Sequence, residues 1–330
     1  MMSADPPTLR PHTQARRKRD RWVLGALALL AAAGLYGVSR ATGWSEIGDR
    51  FASLTAPQVA VLLLMSLLNY ALRALRWHLF VVSMGLGLPA RQSILHYLGG
   101  FAMSVTPGKI GELVRVRWLA RATGAPLERA APAALADRAS DLAALAILLS
   151  FCLALSATIR GGVPVALLAL LAAFAATHPR LLASFANLAH RMTGRRLPRL
   201  MARLRRAALS LDAFARGHVL LPALALGMAG WAAEGYAFHL LLGWFGADVP
   251  LARALAIFIF ATLAGGLTGA PGGLGGAEAA MVAFLTLDGV PLETAIAATA
   301  LIRFTTLWFA VLIGMAAFPF AERQSHGGRK

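Results

Sequence analysis

Two acidic residues of this chain stand beside proline-glycine breaks in otherwise apolar surroundings. One break reads Thr106-Pro107-Gly108-Lys109-Ile110-Gly111-Glu112, the other Ala270-Pro271-Gly272-Gly273-Leu274-Gly275-Gly276-Ala277-Glu278. Proline removes a backbone donor and glycine removes side-chain cover, so neither segment continues as plain helix. Bare backbone at membrane depth survives only where protein buries it or water lines it. A carboxylate at such a break, Glu112 or Glu278, can bind a cationic head group, take up a coupling proton or pair with an arginine. The plainer alternative is that each acid caps a half-helix or pairs with Arg115 or Arg303.

Further ionisable residues interrupt the apolar runs. Arg73 and Arg76 are one helical turn apart and share a face with Trp77. Their planar donors suit phosphate, or they snorkel to cytoplasmic head groups. Asp137 and Asp141 share a face, and Arg138 can reach Asp141. That trio reads as an ion or proton site, or as a structural charge cluster. Arg303 lies deep in the last apolar run, and Glu234 is an isolated acid in another. His96 and His239 have no metal-ligand spacing to any acid or cysteine, so no metal site is predicted. Gly265, Gly269 and Gly273 recur every four residues, which predicts a glycine face for close backbone contact with another helix or, as the sharper reading, a lipid path along it. There is no P-loop, no Ser/His/Asp order and no dinucleotide fingerprint, so no cofactor and no ATP-driven step are predicted.

The elements that must hold these residues are membrane spans. Of 330 residues, 58% are hydrophobic and 14% charged, with a mean hydropathy of +0.64. Apolar runs cover 22–38, 59–82, 130–157, 163–176, 218–245, 251–267, 277–287 and 292–318. Several reach the length of about 20 residues that spans a bilayer. The segment 93–121, broken at Pro107-Gly108, predicts a re-entrant hairpin, and so does 251–287. The net charge of +17 comes from 32 Lys+Arg against 15 Asp+Glu, placed mostly in tails and loops beside the spans. That placement fits the positive-inside rule and argues against nucleic-acid binding. Arg10, Arg16, Arg17, Lys18, Arg19 and Arg21 precede the first run, which reads as a retained signal anchor. Cys152 is the sole cysteine, so no intrachain disulfide is possible.

The main polar segment, 178–217, carries nine arginines and a helically spaced apolar face from Leu197 to Ala215. It predicts either a helix lying in anionic head groups or a linker helix on the protein's own cytoplasmic face. With this loop and both termini cytoplasmic, the two hairpins open to opposite sides, as in an inverted-topology repeat. Arg138 and Arg303 fall at similar distances after their breaks. The predicted fold class is therefore all-α, a polytopic helical bundle with two re-entrant hairpins. A basic tail (1–21), a transmembrane domain (22–320) and a short cytoplasmic tail (321–330) complete the expected organisation.

Pro107-Gly108-x-x-Gly111-Glu112 followed by Arg115 resembles the first signature of the lysylphosphatidylglycerol synthase transmembrane-region family, also called flippase-like or UPF0104 proteins. Pro271-Gly272-Gly273-Leu274-Gly275 with Glu278 resembles the second. Asn69, Arg73, Arg76-Trp77 and Asp137-Arg138 stand where that family carries polar residues in spans. The resemblance covers roughly residues 20–320. It implies a translocase-like membrane region acting on phospholipid or another polar lipid in a bacterial inner membrane. The family's aminoacyl-transferase domain would follow the last span, and the sequence ends at Lys330, so lysyl transfer is not implied. Competing expectations are a membrane-embedded lipid-modifying enzyme, with Glu112 or Asp137 as base, and a non-catalytic subunit of an envelope-lipid complex.

Overall fold

A computed structural model describes residues 50–106, 113–155 and 216–326, with isolated positions at 48, 167, 170, 171, 174, 181, 184 and 214. The predicted first span at 22–38 and nearly all of 163–176 and 178–217 lie outside the described residues. So do Pro107, Gly108, Gly111 and Glu112 of the first break.

Among the described residues every regular element is helical. The first half contains α1 (Ala56–Ser83), α2 (Ala90–Gly100, extended by a 3-10 turn at Phe101–Met103), α3 (Val114–Thr123) and α4 (Leu127–Leu155). The second contains α5 (Gly217–Trp244), α6 (Leu251–Leu267), α7 (Gly276–Leu287), α8 (Leu292–Arg303) and α9 (Phe309–His326). A 3-10 turn at Pro271–Gly273 separates α6 from α7, and a π-helical turn at Phe304–Trp308 joins α8 to α9. Among the described residues four helices are long and apolar enough to cross a membrane: Ala56–Ser83, Leu127–Leu155, Gly217–Trp244 and the rod Leu292–His326. The chain is a polytopic helical membrane protein.

The halves repeat the same order: long helix, short helix, break, short helix, long helix. Their connectors repeat at the level of single hydrogen bonds. After α1, Gly85 N–H donates to the Val82 carbonyl and Leu86 N–H to Val81. After α5, Gly246 N–H donates to Gly243 and Ala247 N–H to Leu242. Both are Schellman caps, in which a glycine at positive φ (67° and 76°) closes the helix end. Proline follows in each, Pro89 and Pro250, as the residue preceding the next helix. The later connectors also match: Gly124-Ala125-Pro126-Leu127-Glu128 and Gly289-Val290-Pro291-Leu292-Glu293.

The second hairpin is antiparallel along its length. The Arg253 guanidinium and the Asp288 carboxylate pair at its base, and the Phe260 and Phe284 rings meet edge to face at 4.8 Å. Near the tip, a Cβ on Gly265 would lie 2.7 Å from the Ala277 Cβ. In the first hairpin, His96 stacks on Trp118 at 5.7 Å, and Gly100 gives the space occupied by the Arg115 stem. The halves interlock: α4 packs on α6, α9 packs on α2, and α1 packs along α5 at the centre. The ends of the two hairpins converge, because Val105 and Leu274 share one apolar cluster with Trp308 and Val311.

Helix α1 shows which solvent the fold is built for. Its outward residues are leucines, with Leu64 58% exposed, while its inward residues include Asn69, Arg73 and Arg76, the last fully buried. Polar groups turned inward and leucines outward are what hydrocarbon demands. The residues facing α1 are correspondingly small. A Cβ on Gly230 would lie 2.6 Å from Asn69 Oδ1, and one on Gly227 would lie 2.8 Å from Arg76 Nη1. Small residues allow close approach where no water-driven hydrophobic force operates between helices.

Two expectations need correction. The glycine stripe Gly265/Gly269/Gly273 is not a helix face. Helix α6 stops at Leu267, Gly269 and Gly273 have positive φ, and Gly273 packs back on Gly265 within the same hairpin. The last helix continues past residue 318 to His326, where the Glu322 carboxylate ties it to Trp118 and Arg121 of α3.

Candidate functional site

The interlocked helices bring together residues that lie far apart in sequence. Arg73 and Arg76 leave α1 toward α4, whose inner face presents Asp137 and Asp141 one turn apart. Arg73 Nη2 donates to Asp141 Oδ2 at 2.6 Å. Arg76 Nη2 bridges both acids, at 2.6 Å to Asp137 Oδ1 and 2.7 Å to Asp141 Oδ1. Arg115 of α3 approaches Asp137 Oδ2 at 3.5 Å, and Arg138 reaches Asp137 at 3.3 Å and Asp141 at 3.8 Å. The Trp231 indole N–H of α5 donates to Asp141 Oδ1 at 3.2 Å.

Aromatic rings complete the enclosure. The Arg73 guanidinium lies 4.8 Å from the Trp231 ring centroid, and Arg115 lies 4.5 Å from Tyr97 and 5.4 Å from Trp77. Such faces hold a planar cation without needing a counter-ion. Arg138 is the outward member of the network, with its side chain 38% exposed against 1% for Asp137. The network thus has a closed interior and one guanidinium at its edge.

A second, smaller site sits at the second break. Arg303 Nε donates to Glu278 Oε1 at 2.6 Å, and Arg303 Nη2 donates to the Gly272 carbonyl at 2.7 Å. The other Glu278 oxygen accepts from the Gly275 N–H at 2.7 Å, closing the first turn of α7. Gly272, Gly273 and Gly275 all have positive φ, and the Arg303 fork ties down the carbonyl they expose. Pro271 opens the turn. Glu278 therefore does both things that the plainer reading of the sequence allowed: it caps a half-helix and pairs with Arg303. Glu112, the acid at the first break, lies outside the described residues.

Between the two sites lies Glu234 of α5, 3% exposed. It sits within electrostatic reach of Arg73 and Asp141 on one side and Arg303 on the other. The Tyr70 hydroxyl beside it donates to the Thr306 carbonyl in the π-helical turn. The structure brings Arg73, Arg76, Arg115, Asp137 and Arg138 into one cluster, and Glu278 and Arg303 into another. Trp231, Tyr97 and Gly100 were not singled out in the sequence. Their roles arise from contacts across helices, and only the Gly227/Gly230/Trp231/Glu234 face of α5 carried a local signal.

An all-helical membrane bundle of two like halves, with broken helices converging on buried charges, defines a class of integral membrane protein with an intramembrane polar site. Residues 23–314 match the family described as lysylphosphatidylglycerol synthase TM region, and the chain belongs to that family. It is also similar to a UPF0104 membrane protein of Methanothermobacter thermautotrophicus, at 26% identity over 322 residues, covering 90% of this chain and 94% of that protein.

Proposed function

We propose that this protein is a translocase for phosphate-bearing lipids in the cytoplasmic membrane of a bacterial cell. The observation that carries the reading is the arginine–aspartate network joining α1, α3, α4 and α5 beside the converging hairpin ends. Ionisable groups at membrane depth are costly and mark substrate or ion pathways. Guanidinium forks fit phosphate oxygens in pairs. A lipid phosphate arriving at the edge residue Arg138 meets successive guanidiniums at Arg115, Arg76 and Arg73, each held by aspartates that a phosphate can replace.

In this reading the half-length helix pairs α2/α3 and α6/α7 are re-entrant hairpins opening to opposite sides, each a gate for one leaflet. Both termini and the 178–217 loop are cytoplasmic, with the basic loop resting on anionic head groups. Asp137 is a poor candidate for the base of the enzyme alternative, because three guanidiniums already engage it. A general base needs a free oxygen within reach of the substrate proton.

The test is the lipid that stays bound. The full chain purified from native membranes in mild detergent is expected to co-purify with phosphate-bearing lipids, identified by mass spectrometry. Arg76→Met should lose most of that tightly held lipid, while the loosely held annular lipid that further detergent washing removes is unchanged. Equal bound lipid in both proteins, or no phosphate-bearing species, would refute the assignment.

A further inference from the structure

Glu234 differs from the other described acids buried at the centre of the molecule. Asp137, Asp141 and Glu278 each have a guanidinium within 3.5 Å, whereas Glu234 makes no ion pair among the described residues. An uncompensated charge in such a place is costly and is relieved by a proton or a cation.

The surroundings of Glu234 come from four elements. From α1 it faces Asn69, Tyr70 and Arg73; from α4, Asp141; from α8, Arg303. From α6, Leu255 packs on the adjacent Gly235. Asn69 is 1% exposed, and its side-chain amide is the hydrogen-bonding group turned to the Glu234 carboxyl. An amide accepts from a carboxylic acid and donates to a carboxylate, so it suits both forms of the glutamate. The two arginines that act on Glu234 belong to opposite halves and are each held by another acid, Arg73 by Asp141 and Arg303 by Glu278. Two positive charges nearby disfavour a metal cation in the same place.

The geometry points to Glu234 as the site that takes up and releases the coupling proton during lipid translocation. One carboxylate oxygen accepts a proton from water on one side of the membrane and returns it to water on the other. A negative phosphate arriving at Arg73 favours proton uptake at Glu234, and by linkage the proton favours phosphate binding. Opening of the second break would free Arg303 from Glu278 and favour proton release. Beside this point the rod Leu292–His326 changes from α to π geometry, with the Tyr70 hydroxyl on the Thr306 carbonyl. Such turns recur at functional positions in helices. The anionic lipid and its proton thus move together, one proton for each negative head group.

This inference rests on the translocase reading, and the experiment separates the two. The full chain is reconstituted into phosphatidylcholine vesicles containing acyl-labelled fluorescent phosphatidylglycerol, and leaflet distribution is read by impermeant quenching. With one proton per lipid, a gradient of about one pH unit supports about a tenfold leaflet ratio, since about 1.4 kcal/mol is tenfold. Wild type and Glu234→Asp should build that asymmetry, and Glu234→Gln should build none. Lipid movement in wild type without a gradient response would overturn the proton site and leave the translocase intact. Asymmetry driven by sodium at equal pH would also overturn it. If no lipid moves, the translocase reading fails, and infrared difference spectra between acidic and alkaline pH still decide the proton site. A carboxylic-acid band present in wild type and lost in Glu234→Gln supports it; its absence from wild type, or its persistence in the variant, refutes it.

Discussion

Asp141→Leu is the perturbation that tests whether the arginine network is a closed, mutually dependent unit. Asp141 is the one carboxylate within salt-bridge distance of Arg73 among the described residues, at 2.6 Å, and it shares Arg76 with Asp137. Its removal leaves the Arg73 guanidinium, 9% exposed, with the Trp231 face, no carboxylate at salt-bridge distance and little water. Breaking one partner out of a buried pair costs about 3–5 kcal/mol because the other charge is stranded. Arg73→Met strands less, since Asp141 keeps Arg76 and the Trp231 N–H. Its expected cost is about 1.5–3 kcal/mol, the range for a hydrogen bond to a charged group. The double variant removes both charges and should sit within about 1 kcal/mol of Arg73→Met, so the two losses do not add. Reversible unfolding in mixed micelles, followed by tryptophan fluorescence, measures all four proteins. Additive losses, or an Asp141→Leu loss under about 1 kcal/mol, would show that the network is not stabilised as a unit.

Three other outcomes follow from the fold and its proposed orientation. A Cβ on Gly314 would lie 2.1 Å from the Ala102 backbone nitrogen, so Gly314→Ala should destabilise by about 3 kcal/mol or more in the same micelle assay. Gly243→Ala in α5, where a Cβ meets nothing within 4 Å, should be neutral or slightly stabilising; equal effects of the two would contradict the packing. In a Cys152→Ser background, a cysteine at position 200 should resist an impermeant reagent added to intact cells, and labelling there would reverse the topology. The isolated 197–215 peptide should bind anionic vesicles with about 1 kcal/mol per basic residue near the surface and detach at high salt; equal binding to neutral vesicles would assign it to a linker role.

The four long helices were legible because hydrocarbon imposes a length and an apolar composition on any helix that spans it. The second break was legible because Pro271 and its glycines forbid a continuous helix. What sequence could not show was partner choice. Arg73 meets Asp141 only because α1 and α4 are placed side by side, and Trp231 joins them from α5. For Glu278 the sequence left cap, arginine partner and free site all open, and only the placement of Gly275 and Arg303 at its oxygens decides among them. The glycine spacing of four misled, since periodicity alone cannot tell a helix face from a chain folding back on itself. A stronger sign of the repeat lay in plain view in Gly-x-Pro-Leu-Glu at 124–128 and 289–293, where glycine ends one helix and proline opens the next.

The central claim is tested most directly by translocation itself. The full chain, reconstituted into liposomes with acyl-labelled fluorescent phosphatidylglycerol, should make label in the inner leaflet accessible to an impermeant quencher. A label on an uncharged diacylglycerol carrier should show no protein-dependent change. Arg76→Met, compared at equal amounts of inserted and folded protein, should reduce the protein-dependent rate for phosphatidylglycerol at least tenfold. A rate equal to that of protein-free liposomes for the parent, or an unaltered rate in a folded Arg76→Met, would contradict a translocase that recognises lipid phosphate through this network.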